Sequence, residues 1–470
     1  MRKLVFLEMA LLIIATGIVP VGAAPGFSCA AVTEIPQIEC EALVAIFNST
    51  NGPGWVTSSG WLESNTPSSW YGVNVWSGHV HGLVLDAHGL RGSIPPEIGH
   101  LSYLAYMNLG FNDLGGSIPP EIGNLTLLHD LMLYGDHLTG SIPPEMGNLS
   151  SMKLLFLSDN QLSGTIPIQL ANLTQLTALG LSGNQLSGGI PAELGNLPYL
   201  NYLYFYNNKL SGSLPEELSN LINLIELDLG SNQLNGSIPP EYGNLTNLQM
   251  LALRDNHLSG DIPSTFINLV NLANAGQGYN GADGLNLDYN LLNVPPGYPE
   301  PADPLQVFLH QKDPDWQLYQ PFQQVIGTGG GEITSGDGTT DIHIPAGALD
   351  SNTTFTFIPQ GTPNHFSGIL PYAYNSFQLT GLDSGGNPVA AFNLPVIVTV
   401  TYPWWIPENR LALYYWDESA AAWADAVTTC PGGEYTRDLD ANILTLPLCH
   451  LTEFALFSTP LPTFIPIISH

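Results

Sequence analysis

Residues 224–247 read LIELDLGSNQLNGSIPPEYGNLTN, and this stretch decides the fold. Apolar side chains stand at its positions 1, 4, 6, 11, 15, 19 and 22, as Leu224, Leu227, Leu229, Leu234, Ile238, Tyr242 and Leu245. Positions 4 and 6 alternate as in a strand with one face turned inward, whereas Gly236 and Pro239 rule out a long helix in the return segment. The pattern recurs every 24 residues, without slippage, from Val80 to Asn271, which makes eight units. Asn holds position 9 in six of them, at Asn112, Asn160, Asn184, Asn208, Asn232 and Asn256, with His88 and Asp136 as departures. One unit alone buries too little apolar surface to fold. Stacked units bury both faces and complete one another's strand hydrogen bonds, so a curved solenoid is expected, with the Asn side chain satisfying backbone groups of the turn in every coil.

These units resemble the plant-type leucine-rich repeat, LxxLxxLxLxxNxLxGxIPxxLGNLxx, found in plant receptor ectodomains, polygalacturonase inhibitors and bacterial surface proteins. The flank ALVAIFNSTNGPGWVTSSGWL, followed by SSWYGVNVWSGHVHGLVL, is similar to the N-terminal cap of that family. The plant cap carries Cys where this chain has Ser68 and Val75, a departure that favours a bacterial relative. After Leu272 the pattern decays, and LNLDYNLLNVPP with VFLHQKDPDWQLYQP resembles a C-terminal cap. The resemblance implies an α/β leucine-rich-repeat solenoid, mostly β with short 3-10 segments, with a cap over 25–79, repeats over 80–271 and a degenerate repeat with its cap over 272–326.

The first residues carry Arg2 and Lys3, an apolar stretch from Leu4 to Val21 and then Gly22, Ala23 and Ala24, the pattern of a signal peptide over 1–24. The chain is expected to be secreted or held at the cell surface, with no transmembrane segment after removal of that peptide. Nine Lys and Arg stand against 40 Asp and Glu, for a formal charge of −31, so nucleic acid and anionic membranes are poor partners. Cys29 with Cys40 and Cys430 with Cys449 fall as two local pairs, read as disulfides among three formal connectivities.

Outward positions 3, 5 and 7 of each strand face the concave side. They supply Tyr106 and Asn108 with Phe111 beside them, Met132 and Tyr134, Phe156, and then Tyr202, Tyr204 and Tyr206. Unit five contributes only Ala178, Gly180 and Ser182, a notch between two aromatic patches, and Asp86, Asp130, Glu226, Asp228 and Asp255 surround them. With strands about 4.8 Å apart, eight units make a strip close to ~40 Å long. Aromatic side chains in such number on an outward face point to a protein, peptide or glycan ligand. The similarity to polygalacturonase inhibitors adds a second reading, an inhibitor of secreted cell-wall hydrolases.

From Gly329 onward, short Thr, Val, Ile and Phe runs punctuated by Gly, Pro and Asp predict an all-β sandwich, assigned to 327–458. GGGEITSGDGTTDIHIPAGAL resembles the opening of a ZU-five domain, and LALYYWDESAAAWADAVTTC with LTLPLCHLTEFALFS is similar to the proteolysis-site motif of adhesion receptors. The second resemblance implies self-cleavage between Leu451 and Thr452, with the Thr452 hydroxyl attacking the preceding carbonyl and His450 assisting. A literal HFS at 365–367 lies mid-domain and ranks lower, and an apolar proline-spaced tail closes the chain over 459–470.

Gly276, Gly278 and Gly281 form a lone GxGxxG with no strand before it, so no nucleotide site is expected. His79, His81 and His88 lie on the first strand and turn and read as structural, not as metal ligands. No cofactor and no metal are expected, and apart from the intramolecular cleavage the chain is read as a non-enzyme.

Overall fold

The computed structural model describes residues 27–277, 284–294, 303–360, 372–389, 391–402, 411–417, 419–420, 422–430, 433–438 and 442–458. The signal segment 1–24, the tail 459–470, the HFS at 365–367 and Gly278 and Gly281 lie outside the described residues.

The 24-residue units stack as coils. Ten strands form the concave sheet: β1 (Val73–Trp76), β2 (His79–Val84), β3 (Tyr106–Asn108), β4 (Asp130–Met132), β5 (Leu154–Phe156), β6 (Ala178–Gly180), β7 (Tyr202–Tyr204), β8 (Glu226–Asp228), β9 (Met250–Ala252) and β10 (Leu285–Asn286). The β1–β2 pair is antiparallel, and every later neighbour is parallel with a fixed register such as Leu203↔Leu227. Positions 4 and 6 are fully buried in coil after coil, as at Leu155, Leu157, Leu227 and Leu229. The return segment holds five-residue 3-10 helices, for instance Pro120–Asn124 and Pro240–Asn244, as the Gly and Pro content required.

The Asn ladder has the expected geometry. In unit four, Asn160 accepts from Leu138 N at 2.9 Å through Oδ1, and its Nδ2 donates to the carbonyls of Leu133, Leu157 and Ser158. Each Asn thereby ties its own coil to the one before it. At the far end Gln320 takes over, accepting from Leu292 N and donating to Leu287 O. Two features were not anticipated. Position 8 is left-handed in every unit, with φ from 51° to 56° at Ala87, Phe111, Asp159, Asn207, Ser231 and Asp255 and larger values at Gly135 and Gly183. A second parallel sheet of two- to five-residue strands also runs along positions 10 to 14, from Ser163–Gly164 to Leu291–Leu292.

Both ends of the stack are plugged. Helix α1 (Gln37–Ser49) buries Leu43, Ile46 and Phe47, and Phe47 leads an aromatic cluster with Trp55, Trp61 and Trp70 at centroid separations of 5.0 to 5.7 Å. Glu39 on α1 accepts from Val80 N at 2.8 Å and pairs with His79 at 2.6 Å, which fastens the cap to the first repeat strand. The Cys29–Cys40 disulfide anchors the residues before α1. Helix α2 (Pro304–Lys312), capped by the Asp303 side chain, covers the last coil with buried Trp316. No helix among the described residues is long and apolar enough to cross a membrane.

The C-terminal part is a two-sheet antiparallel sandwich. Its strands are β11 (Phe322–Ile326), β12 (Gly331–Thr334), β13 (Thr340–Ile344), β14 (Thr353–Gln360), β15 (Tyr372–Leu382), β16 (Ala391–Thr401), β17 (Leu411–Asp417), β18 (Ala422–Asp425), β19 (Thr436–Asp438), β20 (Ile443–His450) and β21 (Glu453–Ser458). One sheet has the order β11-β14-β15-β21-β17-β18, the other β12-β13-β16-β20-β19. Phe355, Phe377, Phe454 and Leu456 of the first pack on Ile342, Val398, Leu446 and Leu448 of the second, with period-2 burial in β13 and β20. Residues 322–326, read from sequence as the end of the cap, instead pair Phe322↔Phe357 through Ile326↔Thr353 in the first of these sheets. Their alternating apolar pattern completes that edge. The Cys430–Cys449 disulfide joins the segment after β18 to the end of β20.

Candidate functional site

On the concave sheet, position 5 forms a column in direct register: Asn108, Met132, Phe156, Gly180, Tyr204, Asp228, Ala252 and Asn286. Position 3 runs beside it as Tyr106, Asp130, Leu154, Ala178, Tyr202, Glu226 and Met250. The structure brings the sequence-selected aromatic residues onto one continuous face. It also shows that several rings are seated on glycines of the neighbouring strand. A Cβ on Gly82 would lie 2.1 Å from the Tyr106 ring, and one on Gly180 would lie 2.5 Å from Phe156. These rings occupy the space a side chain would fill on the adjacent strand, and both residues stay partly exposed.

Phe111 occupies the left-handed position 8 with φ 56° and is 62% exposed, edge-on to Tyr134 at 4.9 Å. A bulky residue in that conformation is held by its coil, not by its own preference. Asn108 turns inward on its own loop, accepting from Gly110 N at 3.1 Å. Met132 lies between Asn108 and Phe156 in the register.

Units six to eight differ in character. Tyr202 and Tyr204 stack at 6.2 Å, and the Tyr204 hydroxyl donates to Glu226 Oε2 at 2.6 Å. Burial, reinforced by that carboxylate, pushes the Tyr204 phenol well above its usual range, so it remains a donor. Asp228 accepts from Gly230 N at 3.0 Å; burial lifts its pKa, while the Gly230 bond and the Arg254 charge pull the other way. The Arg254 guanidinium lies over the Tyr206 ring at 5.4 Å. Arg254 was missed in the sequence reading, although position 7 of unit eight identifies it.

The three N-terminal histidines have structural partners: His79 pairs with Glu39, His81 sits between Trp76 and Tyr106, and His88 stacks on Tyr71 at 4.6 Å. Asp288, Asp313 and Asp315 are the group of described acidic residues whose carboxylate oxygens come within 4.8 Å of one another. A concavity of about 560 Å³ between the turns at Asn207, Ser231 and His257 and strand β14 at Pro359 and Gln360 also had no sequence signal. In the sandwich, His450 ends β20, and Leu451 and Thr452 carry the chain from one sheet to the other before β21. His450 packs edge-on against Tyr415 at 4.7 Å, and burial lowers its pKa, with Asp417 opposing. Thr452 O accepts from Leu379 N.

Six segments, 103–125, 151–173, 175–197, 199–221, 223–245 and 247–269, match the Leucine Rich Repeat family. The repeats are leucine-rich repeats. A plant ice-binding protein shares 28% identity over 55% of this chain and 81% of its own, with a TM-score of 0.47. The leucine-rich-repeat ectodomain of the Arabidopsis thaliana receptor kinase GASSHO1/SCHENGEN3, in complex with Casparian strip integrity factor 2, shares 31% identity at a TM-score of 0.45. The Arabidopsis receptor kinase HAESA, in complex with the peptide hormone IDA and the co-receptor SERK1, shares 29% at 0.44. The chain covers 36% of the first receptor and 50% of the second, each match using 55% and 54% of its own length.

Proposed function

We propose that this chain is an exported, non-catalytic recognition protein that binds an extended peptide or glycan along the concave sheet of its leucine-rich-repeat solenoid, with the C-terminal sandwich as spacer or surface mount. One observation carries the reading: the outward columns at positions 3 and 5 present Tyr106, Met132, Phe156, Tyr202 and Tyr204, each partly exposed, on strands of one sheet in register. Rings held against glycines of the neighbouring strand have little side-chain entropy left to lose, which suits a binding surface. Peptide and glycan arrays probed with the purified chain test this. Tyr134→Ala, Phe156→Ala and Tyr204→Ala variants should each lose captured ligands by tenfold or more, and retention of every ligand by all three variants refutes it.

A second reading is self-processing of the sandwich at Leu451–Thr452. It is favoured by the place of this bond at the crossing between the two sheets, two residues beyond a cysteine tied to Cys430. The Thr452 hydroxyl lies next to the carbonyl it would attack, with His450 two residues before it at the end of β20. Denaturing mass spectrometry is the direct test, since β21 would stay paired to β15 and β17 after cleavage.

A further inference from the structure

The two ends of the concave face differ in chemistry, and this difference identifies a ligand. Units two to four offer Tyr106, Phe111, Met132, Tyr134, Leu154 and Phe156. Units six to eight offer the stacked Tyr202 and Tyr204, then Glu226 and Asp228 on the next strand at the same two outward positions. Register places Tyr202 beside Glu226 and Tyr204 beside Asp228. On the far side of the carboxylates, Met250 and Ala252 supply no positive charge. Toward the notch, Ala178 and Gly180 are buried and raise no large side chain between the two patches, Gly180 lying beneath the Phe156 ring on the side away from Tyr204.

Glu226 and Asp228 share one outward cation, Arg254, and that guanidinium already rests on the ring of Tyr206. The face therefore contains an internal example of the interaction it offers elsewhere: a guanidinium on a tyrosine ring beside a carboxylate. The Tyr204–Glu226 hydrogen bond holds a carboxylate at the ring edge, so a cation on the ring face meets the quadrupole and the charge together. A cation desolvated on such a site is held by the ring quadrupole as well as by the carboxylates. The chain's formal charge of −31 adds long-range attraction for a basic partner.

We propose that the ligand of the concave face is a basic peptide segment in extended conformation, with an Arg or Lys side chain on Tyr202 and Tyr204 against Glu226 and Asp228, and an apolar side chain near Met132 and Phe156. This rests on the recognition reading above. From Met132 to Asp228 is four strand spacings, about 19 Å, which an extended peptide spans in about six residues. The apolar and basic residues of the ligand should therefore stand about six positions apart.

The test is selection of a random 12-residue peptide library displayed on phage against the full-length protein, with a glycan array in parallel. The expected pool is enriched at least threefold in Arg and Lys, depleted in Asp and Glu, and carries an aromatic or aliphatic residue five to seven positions from the basic one. Synthetic peptides from that pool should bind at least tenfold more weakly to the Glu226→Gln/Asp228→Asn double variant, whose side chains still accept from Tyr204 and Gly230. Binding to the wild type should also weaken steeply between 50 and 300 mM salt, whereas a glycan or neutral peptide would show a flat response. Peptides without basic enrichment, or basic peptides that bind the double variant equally well, overturn this inference while leaving the concave site standing if Phe156→Ala still abolishes binding. Capture of glycans alone likewise overturns it. Loss of no ligand in Phe156→Ala and Tyr204→Ala together overturns both this inference and the reading beneath it.

Discussion

Asp136 occupies the ladder position that Asn holds in seven other coils, Asn290 of the last among them, and Asp136→Asn should stabilise the solenoid in a pH-dependent way. Its Oδ1 does what the Asn oxygen does, accepting from Asn112 N and Leu114 N at 3.1 Å each. Its Oδ2 sits, buried and without a hydrogen bond, where the Asn Nδ2 of other coils donates to three carbonyls. With the residue 4% exposed, burial raises the pKa from 3.8 to about 6, the two amide bonds only partly opposing. A native-state pKa above the unfolded one means the folded chain binds the proton more tightly, so this stabilisation is complete below about pH 4 and is lost as pH rises through about 6. Two pKa units at about 1.4 kcal/mol each give a loss of about 3 kcal/mol by pH 8. Asn cannot ionise and supplies the missing donor, so the variant should exceed wild type by about 2 to 3 kcal/mol at pH 8 and by less than about 1 kcal/mol at pH 4. Guanidinium unfolding of both proteins at half-unit pH intervals reads the difference, in which carboxylates shared by the two proteins cancel. The mirror substitution, Asn160→Asp, should lose about the same amount at pH 8. A difference curve that is flat from pH 4 to pH 8, or a less stable Asn variant at pH 8, refutes the reasoning.

A Cβ on Gly123 would meet the Glu145 carbonyl at 2.4 Å, so Gly123→Ala should cost about 1–3 kcal/mol in thermal unfolding, whereas Gly180→Ala, opposed by the side chains of Phe156 and Ser158 and by no backbone atom among its nearest neighbours, should cost less and weaken ligand capture by displacing the Phe156 ring. Glu39→Leu removes the acceptor of Val80 N and the partner of His79 and should destabilise the N-terminal cap by about 1–3 kcal/mol, read as loss of amide protection at Val80. Replacing Cys430 and Cys449 by Ser opens a closure of sequence separation 19, and the sandwich should lose about 3 kcal/mol and become sensitive to limited proteolysis before the solenoid does. If the sandwich processes itself, protein held at neutral pH shows under denaturing mass spectrometry a new N-terminus at Thr452 that Thr452→Ala abolishes; a full-length mass after prolonged incubation removes that reading.

The architecture of the solenoid was legible because every coil repeats the same burial problem. Inward positions such as Leu227 and Leu229 have no alternative environment, so the apolar period maps directly onto structure. Gly at position 13 was legible too: Gly92, Gly116 and Gly140 all adopt positive φ, which the resemblance alone would not explain. Position 8 was only partly legible: Gly135, Asp159, Gly183, Asn207 and Asp255 are of types that tolerate the left-handed region, whereas Ala87, Phe111 and Ser231 adopt the same backbone because the flanking coils impose it. The sandwich was legible as a class, from strand alternation in segments such as Thr340–Ile344, but not as a topology. Nothing local tells that β21 inserts between β15 and β17, since that placement depends on pairings over 70 residues apart in sequence.

The candidate site shows the reverse of this pattern. Outward side chains are free of the burial constraint, so they carry no period along the chain, and a reading along each strand finds aromatics without their supports. What fixes each ring lies on another coil: Gly180 beneath Phe156 and Glu226 at the Tyr204 hydroxyl one coil away, Arg254 on Tyr206 two coils away. Residues 24 apart are neighbours in a solenoid at about 4.8 Å, whereas residues two apart on one strand are separated by nearly 7 Å. The informative alignment of this surface is therefore vertical. Reading position 5 as Asn108, Met132, Phe156, Gly180, Tyr204 and Asp228 places an apolar region, a small-residue notch and an acidic aromatic region in their true spatial order. That order is present in the sequence but becomes chemistry only once the period has been converted into a stacking direction, which is why the fold had to be settled before the face could be read as a surface for a basic peptide.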